Sequence, residues 1–173
     1  NVTKSNVVKN IGTTENSEVA VVRASGQDYT TVNQNESIEM AVEVVAFDPE
    51  DLAKMRGDVI GTAGLNRSGR TAVRPFFAFG KVVKKLEGKF ELAWYPKCQL
   101  VENTDDIATK EENFSEQNDT VTIKAYAYND LGDKKTYVNN EMSKFPEGLT
   151  EEKFFAKPIL DDAGLAAAIT PGT

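Results

Sequence analysis

A two-residue alternation between positions 37 and 44 constrains this chain more than any other feature. Ile38, Met40, Val42 and Val44 are apolar, with Ser37, Glu39, Ala41 and Glu43 between them. Neighbouring side chains on a strand point to opposite faces, so this spacing predicts a half-buried β-strand over residues 36–47. The pattern returns in Val121, Ile123, Ala125 and Ala127, set against Thr122, Lys124, Tyr126 and Tyr128. A further strand is predicted over 75–85, with Phe77 and Phe79 alternating against small neighbours. Glu87-Gly88 then separates the runs 82–86 and 89–95, a two-residue link of the hairpin kind, and Pro96 is expected to end the pairing or mark an edge.

Between these strands the punctuation is legible. Asp48-Pro49-Glu50-Asp51 opens a helix of about two turns that Gly57 stops, with acids at its positive end and Lys54 and Arg56 at its negative end. Leu52 and Met55 are expected to cover a sheet face from this helix. Residues 1–18 read as a polar lead, 25–35 as a turn-rich link after the run Val19-Ala20-Val21-Val22, and 58–71 as a long Gly-rich loop. The stretch 101–119 is polar and acidic, 129–133 turns the chain, and 135–139 is expected to pair back. Thr150 caps a short helix over 151–157 that Pro158 ends, and 159–173 reads as a small flexible, weakly helical tail. No βαβ spacing or internal repeat occurs. The fold class is therefore mainly β, an antiparallel sandwich or barrel with one short flanking α-helix and a candidate C-terminal helix, in one domain over 1–173.

Composition narrows the chemistry. The chain has no histidine, which removes His-based triads, the His general base and imidazole metal sites. One cysteine, Cys98, excludes an internal disulfide and a CxxC pair; as a small semi-buried strand residue it is not expected to react. Twenty Lys and Arg against 27 Asp and Glu leave a net charge of −7, which argues against a protein that grips nucleic acid by neutralising phosphates. The sequence holds no apolar run of the ~20 residues a membrane helix needs, and the first ten residues do not read as a signal peptide.

The remaining motifs carry little. The acid pairs at 105–106, 111–112, 151–152 and 161–162 point to opposite faces if on strands, and the acidic loop lacks EF-hand spacing. The glycines at 57, 61, 64 and 69 follow a helix and are not closed by Gly-Lys-Ser/Thr, so they make no phosphate loop. Arg67, Arg70 and Arg74 instead suggest a loop that a neighbouring subunit's acids could order. The five Asn-x-Ser/Thr sequons reflect an Asn- and Thr-rich composition, and Trp94 and Tyr95 read as packing residues. No catalytic residue, metal or cofactor is expected, and the chain is not expected to be an enzyme.

Three stretches, in order, carry a resemblance. They are the strand-to-helix passage Ala41-Val42-Glu43-Val44 into Asp48-Pro49-Glu50-Asp51-Leu52-Ala53-Lys54-Met55, the strand Lys89-Phe90-Glu91-Leu92-Ala93-Trp94-Tyr95-Pro96-Lys97, and the region 105–123 with Ala108-Thr109-Lys110-Glu111-Glu112-Asn113-Phe114. Together, over about residues 19–158, they resemble the major tail protein of siphophages, bacteriophages with long non-contractile tails that infect Gram-positive bacteria. The resemblance implies a tail-tube fold, homo-hexameric rings stacked into a hollow tube, contacts with other tail proteins, and DNA passing through the lumen without specific binding. It implies a place in the virion tail, after assembly in the host bacterial cytoplasm, with no membrane partner. Family members carry an additional N-terminal strand before the position matching Val19, where this sequence has its polar lead.

A tube that conducts DNA must not hold it, so acidic strand faces suit a lumen; Glu39, Glu43 and Glu91 are expected to line it. Arg67, Arg70 and Arg74 with Asp105, Asp106, Glu111 and Glu112 are expected to make subunit or ring contacts. The reading from another class is a cell-surface or receptor-binding β-sandwich whose loops contact a saccharide or protein.

Overall fold

A computed structural model describes residues 2–4, 8–24, 27–44, 47–69, 74–105 and 119–170, with the backbone alone at 9, 16–24, 27–36 and 102–105. Its contacts divide the chain into two compact units, Val7–Pro75 with Gln99–Tyr126, and Asn1–Asn6 with Phe76–Cys98 and Ala127–Thr173. We refer to them as the hairpin unit and the helical unit. In chain order the elements are β1 (Val8–Ala24), β2 (Gln27–Val44), α1 (Pro49–Arg56), β3 (Val59–Ile60), β4 (Asn66–Arg67) and β5 (Phe77–Lys84). They continue with β6 (Phe90–Asp105), β7 (Asp119–Ala125), β8 (Thr136–Asn139), α2 (Glu151–Phe155) and α3 (Asp162–Ile169). The protein is mainly β, and its registered strand pairs are antiparallel.

In the hairpin unit β1 pairs with β2, β2 with β7, and β7 is next to β6. The alternation in β2 does what it predicts: Ile38, Met40, Val42 and Val44 are buried, while Glu39 and Glu43 are half-buried and Ala41 is exposed. Opposite the first three on β7 stand Ala125, Ile123 and Val121, also buried, so this face of the pair is apolar until Val44 meets Asp119. α1 has the expected ends. The Asp48 carboxylate accepts the amides of Glu50 (2.8 Å) and Asp51 (3.3 Å), Pro49 opens the first turn, and Gly57 closes the helix at φ 78°. Its buried residue is Ala53; Leu52 and Met55 are only half-buried, so the small residue between them makes the close approach.

Four expectations for this unit are corrected. Residues 8–18, expected as a polar lead, and 27–35, expected as part of a turn-rich link, are both strand, paired from Val8↔Val44 to Ala24↔Gln27. Asn10 and residues 12–15 of β1 are exposed, and a strand wet on both faces carries no period-two signal to read. The Gly-rich stretch holds a minimal hairpin, β3 with β4. Gly61 donates its amide to the Leu65 carbonyl (3.1 Å), and Gly64 turns the chain at φ 87°. The glycines that suggest a loop are what let it fold back. The acidic stretch begins as strand, since β6 runs to Asp105.

The helical unit is built on the first half of β6, with β5 on one side and β8 on the other. Of the residues 135–139 expected to pair back, Thr136–Asn139 do so, and their partner is β6. The β5–β6 turn has Glu87 at φ 60° and Gly88 at φ 73°, the positive-φ pair of a tight hairpin, with Lys89 donating to the Leu86 carbonyl (3.3 Å). Pro96 does not end the strand. Between Phe77↔Cys98 and Phe79↔Tyr95 the partner strand advances two residues while β6 advances three, so Pro96 sits in a bulge where its missing N–H costs no ladder bond.

Leu92 and Trp94 of β6 form a core with Leu149, Phe154 and Ile159, lined by Phe90, Phe145, Phe155 and the α3 residues Leu165, Ala168 and Ile169. The Trp94 indole N–H donates to the Phe154 carbonyl (3.0 Å), and the ring packs on Phe155 at 5.3 Å between centroids. Thr150 caps α2 through the Lys153 amide (3.3 Å), as expected, and α2 ends two residues earlier than the sequence suggests. The segment 159–170 is not a flexible tail. Ile159 is buried, α3 packs on the core, and Lys153 Nζ donates to the carbonyls of Gly148 (3.1 Å) and Ile169 (3.4 Å). An Ala-rich segment shows no polar–apolar contrast in sequence, so only the aromatic surface beside it selects its buried face.

Gly80 is where this core is tightest. A Cβ there would stand 2.7 Å from the Phe155 ring and 3.2 Å from Trp94. Gly80→Ala is expected to cost about 1–3 kcal/mol by overpacking, measured by urea unfolding. A loss below about 0.5 kcal/mol would mean that the two rings move aside freely.

Candidate assembly surface

The hairpin of β1 and β2 is longer than the sheet that supports it. β7 covers β2 only over Ile38–Val44, whereas β1 accompanies β2 down to Ala24↔Gln27. From Ser17↔Asn35 to the tip, the described pairings form a two-stranded ribbon with no third strand. Nine residues of β2 at ~3.3 Å each give it a reach of roughly 30 Å. Such a ribbon is marginal in water by itself and leaves two rows of backbone donors and acceptors exposed. Sequence reasoning misses it. The signals were present, in Ser25-Gly26 between the β-prone runs Val19-Ala20-Val21-Val22 and Tyr29-Thr30-Thr31-Val32, but polar residues around them read as a link.

Where the ribbon joins the sheet, the register brings Asn10, Gly12 and Thr14 of β1 level with Glu43, Ala41 and Glu39 of β2, and these level with Thr120, Thr122 and Lys124 of β7. This is the face opposite the buried one. It holds small and polar side chains with two carboxylates. Lys124 Nζ lies 3.7 Å from Glu39, directly across the ladder, so Glu39 is partly neutralised. Glu91, the third expected lumen residue, belongs to the helical unit, where Lys135 Nζ binds its carboxylate at 2.7 Å and also lies over the Tyr137 ring at 4.4 Å.

The expected contact residues divide. Arg67 is exposed on β4. Arg74 turns inward to its own chain and donates to the carbonyls of Leu100 (3.0 Å) and Val101 (2.8 Å), while the Gln99 amide donates to the Arg74 carbonyl. It anchors the segment before β5 to the second half of β6. Asp105 is the last residue of β6, and its side chain lies outside the described ones, as do Arg70, Asp106, Glu111 and Glu112 altogether.

Cys98 is buried, and its thiol contacts the Tyr95 carbonyl at 3.3 Å. Burial pushes its pKa up to about 12, against a smaller opposing effect of a backbone hydrogen bond from Phe79, so the thiol is protonated and inert at neutral pH. Among the described residues no group of three or more acidic, Cys or His side chains is placed to hold a metal ion, and no helix is long and apolar enough to cross a membrane. No protein-family model and no curated protein matches the chain.

Proposed function

We propose that this chain is a structural subunit of a bacteriophage tail tube, a siphophage major tail protein with the tail-tube fold, whose hexameric rings stack into the conduit for the genome. It would assemble in the host cytoplasm, reside in the virion tail, meet other tail proteins at the tube's ends, and catalyse no reaction. The observation that carries the proposal is the β1–β2 ribbon, which among the described residues runs past the strand that supports it and offers its edges to a second surface. In a stack of identical copies every ribbon has such a surface, and the exposed strand edges are covered. The resemblance of the strand-to-helix passage and the Trp-Tyr-Pro-Lys strand points the same way. Electron microscopy of the purified chain tests it: rings or tubes with a central channel are expected, and a monomer that binds host-cell walls would favour a receptor-binding module instead.

The face carrying Glu39 and Glu43 suits the lumen, because it offers a duplex small polar groups and no concentration of cations. Replacing both by lysine places three lysines together with Lys124. Rings should still form, but they should now retain duplex DNA at low salt and release it as salt rises. Phage carrying the change should assemble and eject slowly. Finding both positions on the outer wall of an assembled tube would refute the lumen assignment and leave the tail proposal standing.

A further inference from the structure

The net charge of the chain belongs almost wholly to one of its two units. The described residues of the hairpin unit include 13 Asp and Glu against 7 Lys and Arg, a net charge of −6. Those of the helical unit include 10 against 11, a net charge of +1. The helical unit also neutralises itself in place. Glu151 is engaged by Lys84 (3.7 Å) and Lys4 (3.2 Å), Glu141 by Lys85 and Lys89, and Glu91 by Lys135 (2.7 Å).

The hairpin unit has too few cations to do the same. Lys54 is shared between Glu50 (4.0 Å) and Asp51 (3.2 Å) of its own helix, and Lys124 reaches Glu39. Arg74 gives its guanidinium to backbone carbonyls, which adds no carboxylate to the neutralised ones. Glu15 on β1 and Glu50 on α1 are exposed. The excess of carboxylates therefore stands as a field around this unit, and a field of one sign keeps copies of a protein apart.

With Glu39 and Glu43 toward a common channel, the hairpin units of neighbouring copies are the parts that must approach one another. We infer that the acid excess of the hairpin unit is a charge barrier to self-assembly, which holds copies apart at low ionic strength and is lifted when salt screens it. The inference rests on the tail reading above and names the regulation of its assembly step. Two charges of −6 about 30 Å apart, the diameter of a small domain, interact strongly at about 10 mM salt, where the Debye length is ~30 Å. At about 150 mM salt that length is ~8 Å and the repulsion is nearly gone. The difference is on the order of tenfold in the association constant of each contact. The helical unit, at +1, offers no comparable attraction.

The test is sedimentation velocity of the full chain in about 10 and about 150 mM sodium chloride, with electron micrographs of what forms. The wild-type chain should need on the order of tenfold less protein to associate at the higher salt. Glu15→Gln with Glu50→Gln brings the hairpin unit to −4 and should improve association about fivefold at the lower salt. Glu147→Gln with Glu152→Gln removes the same charge from exposed positions of the helical unit and should gain far less. Each variant is checked for an unchanged melting temperature; should the first melt early, Glu15→Gln alone is read, with a gain of about twofold. Association that weakens as salt rises would show that ion pairs between copies drive it, and would overturn the barrier. A helical-unit variant that gains as much as the hairpin-unit variant would overturn it too. The two proposals fail separately. Rings that form equally well at both salts overturn only the barrier, whereas salt-promoted oligomers without a channel overturn the tail reading and support the barrier. No association at either salt overturns both.

Discussion

Cutting Trp94 back to alanine is expected to destabilise the helical unit by about 3–5 kcal/mol, a large fraction of what a domain of this size has in reserve. The indole is 2% exposed at the centre of the aromatic core, packs on Phe155, and donates its N–H to the Phe154 carbonyl. Removing it opens a cavity where β6 meets α2 and leaves that carbonyl without its indole donor. Trp94→Phe separates the two effects: it keeps most of the ring contact and loses the hydrogen bond, so it should cost about 1–2 kcal/mol. Urea unfolding followed by circular dichroism reads both, which matters because Trp94 is the chain's one tryptophan and hence its fluorescent probe. A loss under 1 kcal/mol for the alanine variant would show that the core is not organised around this ring.

Shortening the ribbon should have the opposite profile, with little change in stability and a complete loss of assembly. Asn16 and Ser37 are directly opposite, and β7 supports β2 from Ile38 onward. Replacing residues 17–36 by Asn-Gly therefore removes only the part that has no third strand among the described residues and closes the remaining hairpin with a favoured turn. The melting temperature of the subunit should be preserved, since among the described residues the deleted pairs have no third strand beside them. Rings or tubes should disappear from electron micrographs, and the protein should sediment as a monomer. Normal tubes from the shortened chain would remove the main support for the tail proposal. A shortened chain that fails to fold would contradict the view that the ribbon needs a partner and is not itself a support.

The two variants mark how far the chain could be read in advance. Trp94 was legible as a packing residue because it lies in an alternating run behind a hairpin turn, and burial bears this out. The ribbon was not, because side-chain burial rather than backbone pairing creates the pattern that sequence reading detects. Glu39 and Glu43 were correctly placed on the face away from the core, but Lys124 across the ladder from Glu39 could be found only from the register. Arg74 looked like a residue for a neighbour and spends its guanidinium on Leu100 and Val101 of its own chain.

What the sequence determined by itself was local: the core face of β2 and β7, the capped helix from Asp48 to Gly57, the turns at Glu87-Gly88 and 129–133, and the absence of histidine. Each rests on residues a few positions apart, whose conformational preferences act before any tertiary contact forms. What only the tertiary structure decided was every choice of distant partner. β8 takes β6, Pro96 falls in a bulge set by the register of β5, the Ala-rich α3 closes over Trp94 and Phe154, and β1 follows β2 far past the sheet. Such pairings join residues tens of positions apart, and the free energy that selects them comes from shared burial and backbone hydrogen bonds that no single segment contains.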